Sequence, residues 1–121
     1  MSKVYVVQNQ LKFNDQNGLL EPKFQLDEAR KYGELLYLLS PQARPFSPEH
    51  IIKTLREKLT QYSNEDYLLL IGNPCLIGFS VAIAADFNDG IVNVLQWHGV
   101  KKKYIPVNAN LLFVSENDRE D

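Results

Sequence analysis

The chain has one cysteine in 121 residues, Cys75, so no internal disulfide can brace it and a reducing compartment is the expected setting. No apolar run reaches the roughly 18 to 20 residues that a membrane-spanning helix requires. The longest, from Cys75 to Ala85, is broken by Gly78 and Ser80. The start, Met1-Ser2-Lys3, lacks the apolar core of a secretory leader, which points to a cytoplasmic protein with no membrane association. Neither sign of charge dominates: 13 Lys and Arg stand against 15 Asp and Glu, for a net charge of −2. A global electrostatic footprint for nucleic acid is therefore missing. Two histidines and one cysteine without ligand spacing give no basis for a metal site, and no cofactor is expected.

What is present is 45% hydrophobic sequence in short blocks, enough for one domain of this length to bury its own core. Val4-Tyr5-Val6-Val7 is β-branched and aromatic and runs into Gln8-Asn9-Gln10, which reads as a central strand with a polar exit. Leu11 to Phe24 brackets the turn cluster Asn14 to Gly18, where Asn17-Gly18 suits a tight hairpin. Asp27 to Tyr32 reads as one helical turn capped by Asp27 and stopped by Gly33. Glu34 to Leu39 is a second buried strand, followed by a connection stiffened by Pro41, Pro45 and Pro48.

Ser47-Pro48 starts a helix whose apolar positions, Ile51, Ile52, Leu55 and Leu59, recur at steps of three and four. It should end near Tyr62 to Asn64 and lead to a strand over Tyr67–Ile71. Gly72-Asn73-Pro74 then starts a second helix running to about Asn88, apolar on nearly all sides. Gly78 inside it implies close packing that offsets its poor helix propensity. Ile91 to Trp97 and Tyr104 to Leu111 alternate with period two around the turn 98–103, and Pro106 places the second strand at an edge. The expected architecture is α/β: a small Rossmann-like sandwich with parallel central strands, two main helices and a C-terminal antiparallel hairpin. One domain over residues 1–114 and an acidic flexible tail over 115–121 are expected.

Ligands of open parallel sheets sit at the strand C-termini. That edge carries Gln8, Asn9, Gln10, Ser40, Gly72, Asn73 and Cys75, all uncharged. The backbone N–H groups after Asn73 suit a phosphate or carboxylate, so a nucleotide or small-metabolite binder or enzyme is one reading. Yet no Lys-Ser/Thr follows the glycines, the three-glycine dinucleotide fingerprint is missing, and Ser80 has no nucleophile elbow. Cys75, in the first helical turn, is either a reactive thiol or a small hydrophobe. A second candidate surface joins Trp97, His98, Lys101, Lys102, Lys103 and Tyr104, where aromatic and basic groups suit single-stranded nucleic acid or a protein partner. A lysine-rich turn that resists edge pairing explains the same residues.

The run Val4 to Gln10, the exit Leu39-Ser40-Pro41, the block Asp66 to Asp86, and Leu95-Gln96-Trp97 with Tyr104-Ile105-Pro106 together resemble small proteins of marine, podovirus-like and other tailed bacteriophages. The resemblance spans most of the chain and implies expression inside an infected bacterium, but it transfers no activity and no site residue. A non-enzymatic accessory protein that engages a host or phage macromolecule, or assembles as a homo-oligomer, is the leading expectation.

Overall fold

The computed structural model describes residues 2–24 and 26–112. The acidic tail expected at 115–121 lies outside them. The elements are β1 (Lys3–Gln8), β2 (Leu11–Asn14), β3 (Leu19–Pro22), a 3-10 helix (Asp27–Tyr32), β4 (Glu34–Leu39), α1 (Pro48–Leu59), β5 (Tyr67–Leu69), α2 (Pro74–Phe87), β6 (Ile91–His98) and β7 (Lys103–Asn110).

Five strands form one sheet in the order β4-β1-β5-β6-β7, and β2 with β3 form a separate hairpin. β1 runs parallel to both β4 and β5, and β5 runs parallel to β6. Only β7 is antiparallel, so the first strand of the C-terminal hairpin itself extends the parallel set. β1 is central and reads as a continuous hydrophobic run because it is covered on both faces. Tyr5 and Val7 join Leu68, Val92 and the helix residues Leu55, Leu59, Leu76 and Ala84 in one cluster. Val4 and Val6 join Leu69, Leu95, Tyr104 and Ala29 in the other.

Strand order explains which connection covers which face. The steps β4 to β5 and β5 to β6 go in one direction along the sheet, so right-handed crossovers put α1 and α2 on the same side. The step from β1 to β4 goes the other way, and its 3-10 helix and hairpin occupy the opposite side. Two full helices thus cover one face, and the six-residue 3-10 helix packs on the other through Ala29.

Several local expectations are altered. Ser47 flanks α1 but makes no side-chain cap bond, whereas Asn73 Oδ1 accepts the Cys75 N–H at 2.8 Å, as expected of a cap. Leu26, not Asp27, flanks the 3-10 helix. α1 stops at Leu59, short of Tyr62, and β5 stops at Leu69, two residues before Ile71. Gly78 is exposed, and a Cβ built there meets nothing within 4 Å. Close packing therefore does not account for Gly78, because the buried side of α2 runs instead through Leu76, Ser80, Ile83 and Ala84.

Candidate functional site

Reversal of strand order falls between β1 and β5, where neighbouring connections leave for opposite faces. A crevice opens there in doubly wound sheets. Gln8 fills it in this protein. Its side chain is buried, its Nε2 donates toward the carbonyls of Ser40 (3.1 Å), Pro41 (3.3 Å) and Ala43 (2.9 Å), and its Oε1 accepts the Asn73 N–H at 3.0 Å. Its backbone N–H donates to Ile71 O at 2.9 Å. One carboxamide thus ties together the exits of β1, β4 and β5. Gly72 is required beside it: φ is +131°, and a Cβ would lie 2.7 Å from the Gln8 Cβ.

Of the residues expected at this edge, Gln8, Gln10, Gly72 and Asn73 do come together, around a cavity of about 460 Å3 that Pro41 to Phe46 also line. Asn9 is half-exposed in the connection from β1 to β2. Ser40 is exposed, and its hydroxyl donates to Gln42 Oε1 at 2.8 Å while accepting the Gln42 N–H at 3.1 Å. Cys75 is exposed at the second position of α2. The α2 start has little left for an anion, since Asn73 Oδ1 takes the Cys75 N–H and Pro74 has none. The polar groups of this edge are largely engaged with one another.

A different cavity, of about 480 Å3, opens on the face of the 3-10 helix. Lys23, Phe24, Leu69, Leu70, Ile71, Leu95, Gln96, Trp97 and Tyr104 line it. Its origin is a parting of strands. The β5–β6 ladder ends at Leu69 paired with Leu95, and β5 then turns toward β1 through a tight Ile71 N–H to Leu69 O bond of 2.9 Å. β6 continues to His98 alongside β7 alone. The wedge between them is apolar because both strand ends are core sequence.

Aromatic rings wall this wedge. Trp97 and Tyr104 are register partners whose rings meet edge-on at 5.0 Å, and Trp97 remains 42% exposed. Phe24 is 44% exposed beneath the Lys23 ammonium, which lies 5.5 Å from its ring centre. Burial pushes the Tyr104 phenol above its ordinary pKa. The Tyr62 hydroxyl accepts the Asn93 N–H at 2.9 Å, which orients the Asn93 peptide toward the β5 side. Alternation along β6 turns the Trp97 peptide the same way, past the end of the β5 ladder. The wedge thus combines apolar walls with a backbone edge that has no β5 partner.

Trp97 and Tyr104 were expected together, and the structure joins them. His98, Lys101, Lys102 and Lys103 follow in the adjoining turn, where His98 Nδ1 accepts the Lys101 N–H at 3.2 Å. Lys102 holds a φ of +54° there. Lys23, Phe24, Leu70 and Ile71 were missed. Phe24 is the one with a legible signal, a lone aromatic after the Pro22-Lys23 exit from a hairpin. Leu70 and Ile71 read only as strand core.

Among the described residues, no group of three or more His, Cys, Asp or Glu side chains is placed to hold a metal, and no helix is long and apolar enough to cross a membrane. No curated protein and no solved structure matches the chain. A family model does match, over residues 2–111, nearly the whole of the described structure. The chain belongs to the family of phage Pam3 gp32-like proteins, and the expected resemblance to phage-encoded proteins is thereby shown.

Proposed function

We propose that this phage accessory protein is a non-enzymatic binding protein that holds a host or phage protein in the aromatic wedge between β5 and β6. The observation that carries this reading is the wedge's composition. Phe24, Leu70 and Trp97 are each more than a third exposed around a largely apolar cavity of about 480 Å3, and such cavities anchor partner side chains. The edge at Gly72-Asn73-Pro74 supports small-ligand binding less well, because Gln8 already occupies its crevice.

Affinity capture from infected cells, with wild-type protein and a Trp97→Ala, Phe24→Ala variant as parallel baits, tests the reading. Wild type is expected to retain a protein that the variant loses. Equal retention by both baits, or retention by neither, would sink it. Trp97 is the only tryptophan, so its fluorescence reports directly on the wedge.

A second reading, single-stranded nucleic acid, is favoured by Lys101, Lys102 and Lys103 following in the turn that adjoins the exposed Trp97. It requires that an oligonucleotide quench Trp97, with affinity falling steeply as salt rises. Replacing the three lysines with alanine should then remove the quench. An unchanged spectrum across the titration dismisses this reading. A nucleotide panel at millimolar concentration separates the metabolite reading, because saturating ligand adds roughly 2.7 kcal/mol at about 100 times Kd. No thermal shift is expected.

A further inference from the structure

α1 sorts its charges by side. Glu49, Lys53, Arg56 and Glu57 line one groove, where both signs mix and Arg56 is bound to Asp86 at 3.2 Å. His50, Thr54 and Lys58 recur at steps of four and form a separate ridge. That ridge borders a cavity of about 520 Å3, lined also by Arg44 and by Leu38 and Leu39 of β4. No Asp or Glu lines it. Ion pairs among the described residues engage Arg30, Lys31 and Arg56, so Arg44 and Lys58 keep their charges free of a carboxylate there. In a chain with 15 acidic side chains against 13 basic ones, a cavity whose only charges are positive is a local reversal of sign.

The cavity lies along a free strand edge. β4 ends the sheet order and pairs with β1 alone. The Glu34 N–H donates to Ser2 O at 3.2 Å on the β1 side, so alternation turns the backbone groups of Leu35, Tyr37 and Leu39 outward. Lys58 agrees with that direction, since its Nζ donates to Tyr37 O at 3.3 Å. The other outer strand, β7, loses a donor at Pro106, whereas β4 holds no proline. Leu36 and Leu38 alternate onto the α1 side, in the cluster that holds Leu55 and Leu59.

We infer that the β4 edge binds an extended acidic segment of a partner protein, which adds as a strand beside the His50, Thr54 and Lys58 ridge and sets its carboxylates against Lys58 and Arg44. The spacing fits. From His50 to Lys58 the helix advances about 12 Å, and a strand covers about 13 Å from residue i to i+4, so alternate side chains on one face span the ridge. An ammonium has three donors, so Lys58 can keep Tyr37 O and take a carboxylate as well. A cation over an open edge also selects its strand: an apolar one would desolvate it without a partner, a basic one would repel it, and an acidic one pairs with it. The aromatic wedge lies on the other face of the sheet, so the two surfaces stand independently.

Calorimetric titration with a short synthetic peptide of alternating threonine and glutamate is the test, because every carboxylate then falls on one face of the added strand. Saturable binding is expected, and none for the same peptide with glutamine in place of glutamate. Lys58→Glu and Arg44→Glu, both at exposed positions, should keep the far-ultraviolet spectrum and weaken binding by about tenfold or more. Lys53→Glu changes net charge equally on the other side of α1 and should bind like wild type. Amide exchange needs no substitution: the Leu35, Tyr37 and Leu39 N–H groups should slow several-fold on saturation, while Trp97 emission stays unchanged. No binding, equal binding of the glutamine peptide, equal weakening in Lys53→Glu, or exchange at those three amides indifferent to the peptide would each overturn the strand addition. An oligothymidylate that binds as tightly and displaces the peptide would overturn it in favour of nucleic acid. A change in Trp97 emission would place the peptide in the wedge instead of on the β4 edge.

Discussion

Single residues decide two matters that the sequence presented ambiguously. Gln8 looked like a polar strand exit open to a ligand, but its carboxamide is committed at both ends to the backbones of Ser40, Pro41, Ala43 and Asn73. Gln8→Leu conserves bulk and orphans these partners, at an expected cost of about 2 to 4 kcal/mol, since each unsatisfied buried group costs roughly 1 to 3. Gln8→Glu should cost more, because a carboxylate would face three carbonyl oxygens. Urea denaturation of the three proteins measures the order. Gly78 is the converse case. Its exposed position, open to a Cβ, means that Gly78→Ala removes unfolded-state entropy and adds helix propensity without a clash. A gain of about 1 kcal/mol, or roughly 4 °C in Tm, is expected by calorimetry.

At the scale of elements, α1 shows how far periodicity carries. Ile51, Leu55 and Leu59 are buried at i, i+4 and i+8, as the pattern requires, while Ile52 stays half-exposed beside them. Leu55→Ala should therefore cost about 2 to 5 kcal/mol and Ile52→Ala distinctly less, by the same denaturation measurement. β5 was legible as an element but not in its length. Its last apolar residues, Leu70 and Ile71, have the composition of a strand yet leave the β6 ladder, because Ile71 is drawn to β1 by the Gln8 N–H. That departure opens the aromatic wedge. The hairpin of β2 and β3 was likewise legible as a hairpin.

For the whole molecule, the joint between β6 and the segment preceding β5 gives a pH prediction. Tyr62 has its pKa raised by burial first, opposed by its hydrogen bond with the Asn93 backbone, with smaller upward contributions from Asp66 and Tyr5. Tyr5 and Tyr104 are raised by burial as well. A phenol whose folded pKa exceeds its unfolded value of about 10 stabilises the fold fully below pH 10 and loses that contribution as pH rises through the folded value. Stability should thus be level on this account up to about pH 10 and fall above it. Tyr62→Phe removes one of these phenols and should flatten the alkaline fall, while lowering stability at pH 7 by about 1 to 3 kcal/mol through the unpaired Asn93 N–H. Thermal scans from pH 7 to 11 distinguish the two effects. The sequence by itself determined the α/β class, the order of the main elements, the buried central strand, the Asn73 cap and the pairing of Trp97 with Tyr104, because periodicity, capping and turn chemistry act over a few residues. Only the tertiary structure decided that Gln8 closes the strand edge and that Lys23 and Phe24 join Trp97 in the wedge. Those outcomes depend on which distant strands become neighbours, and that is settled by the packing of the whole sheet.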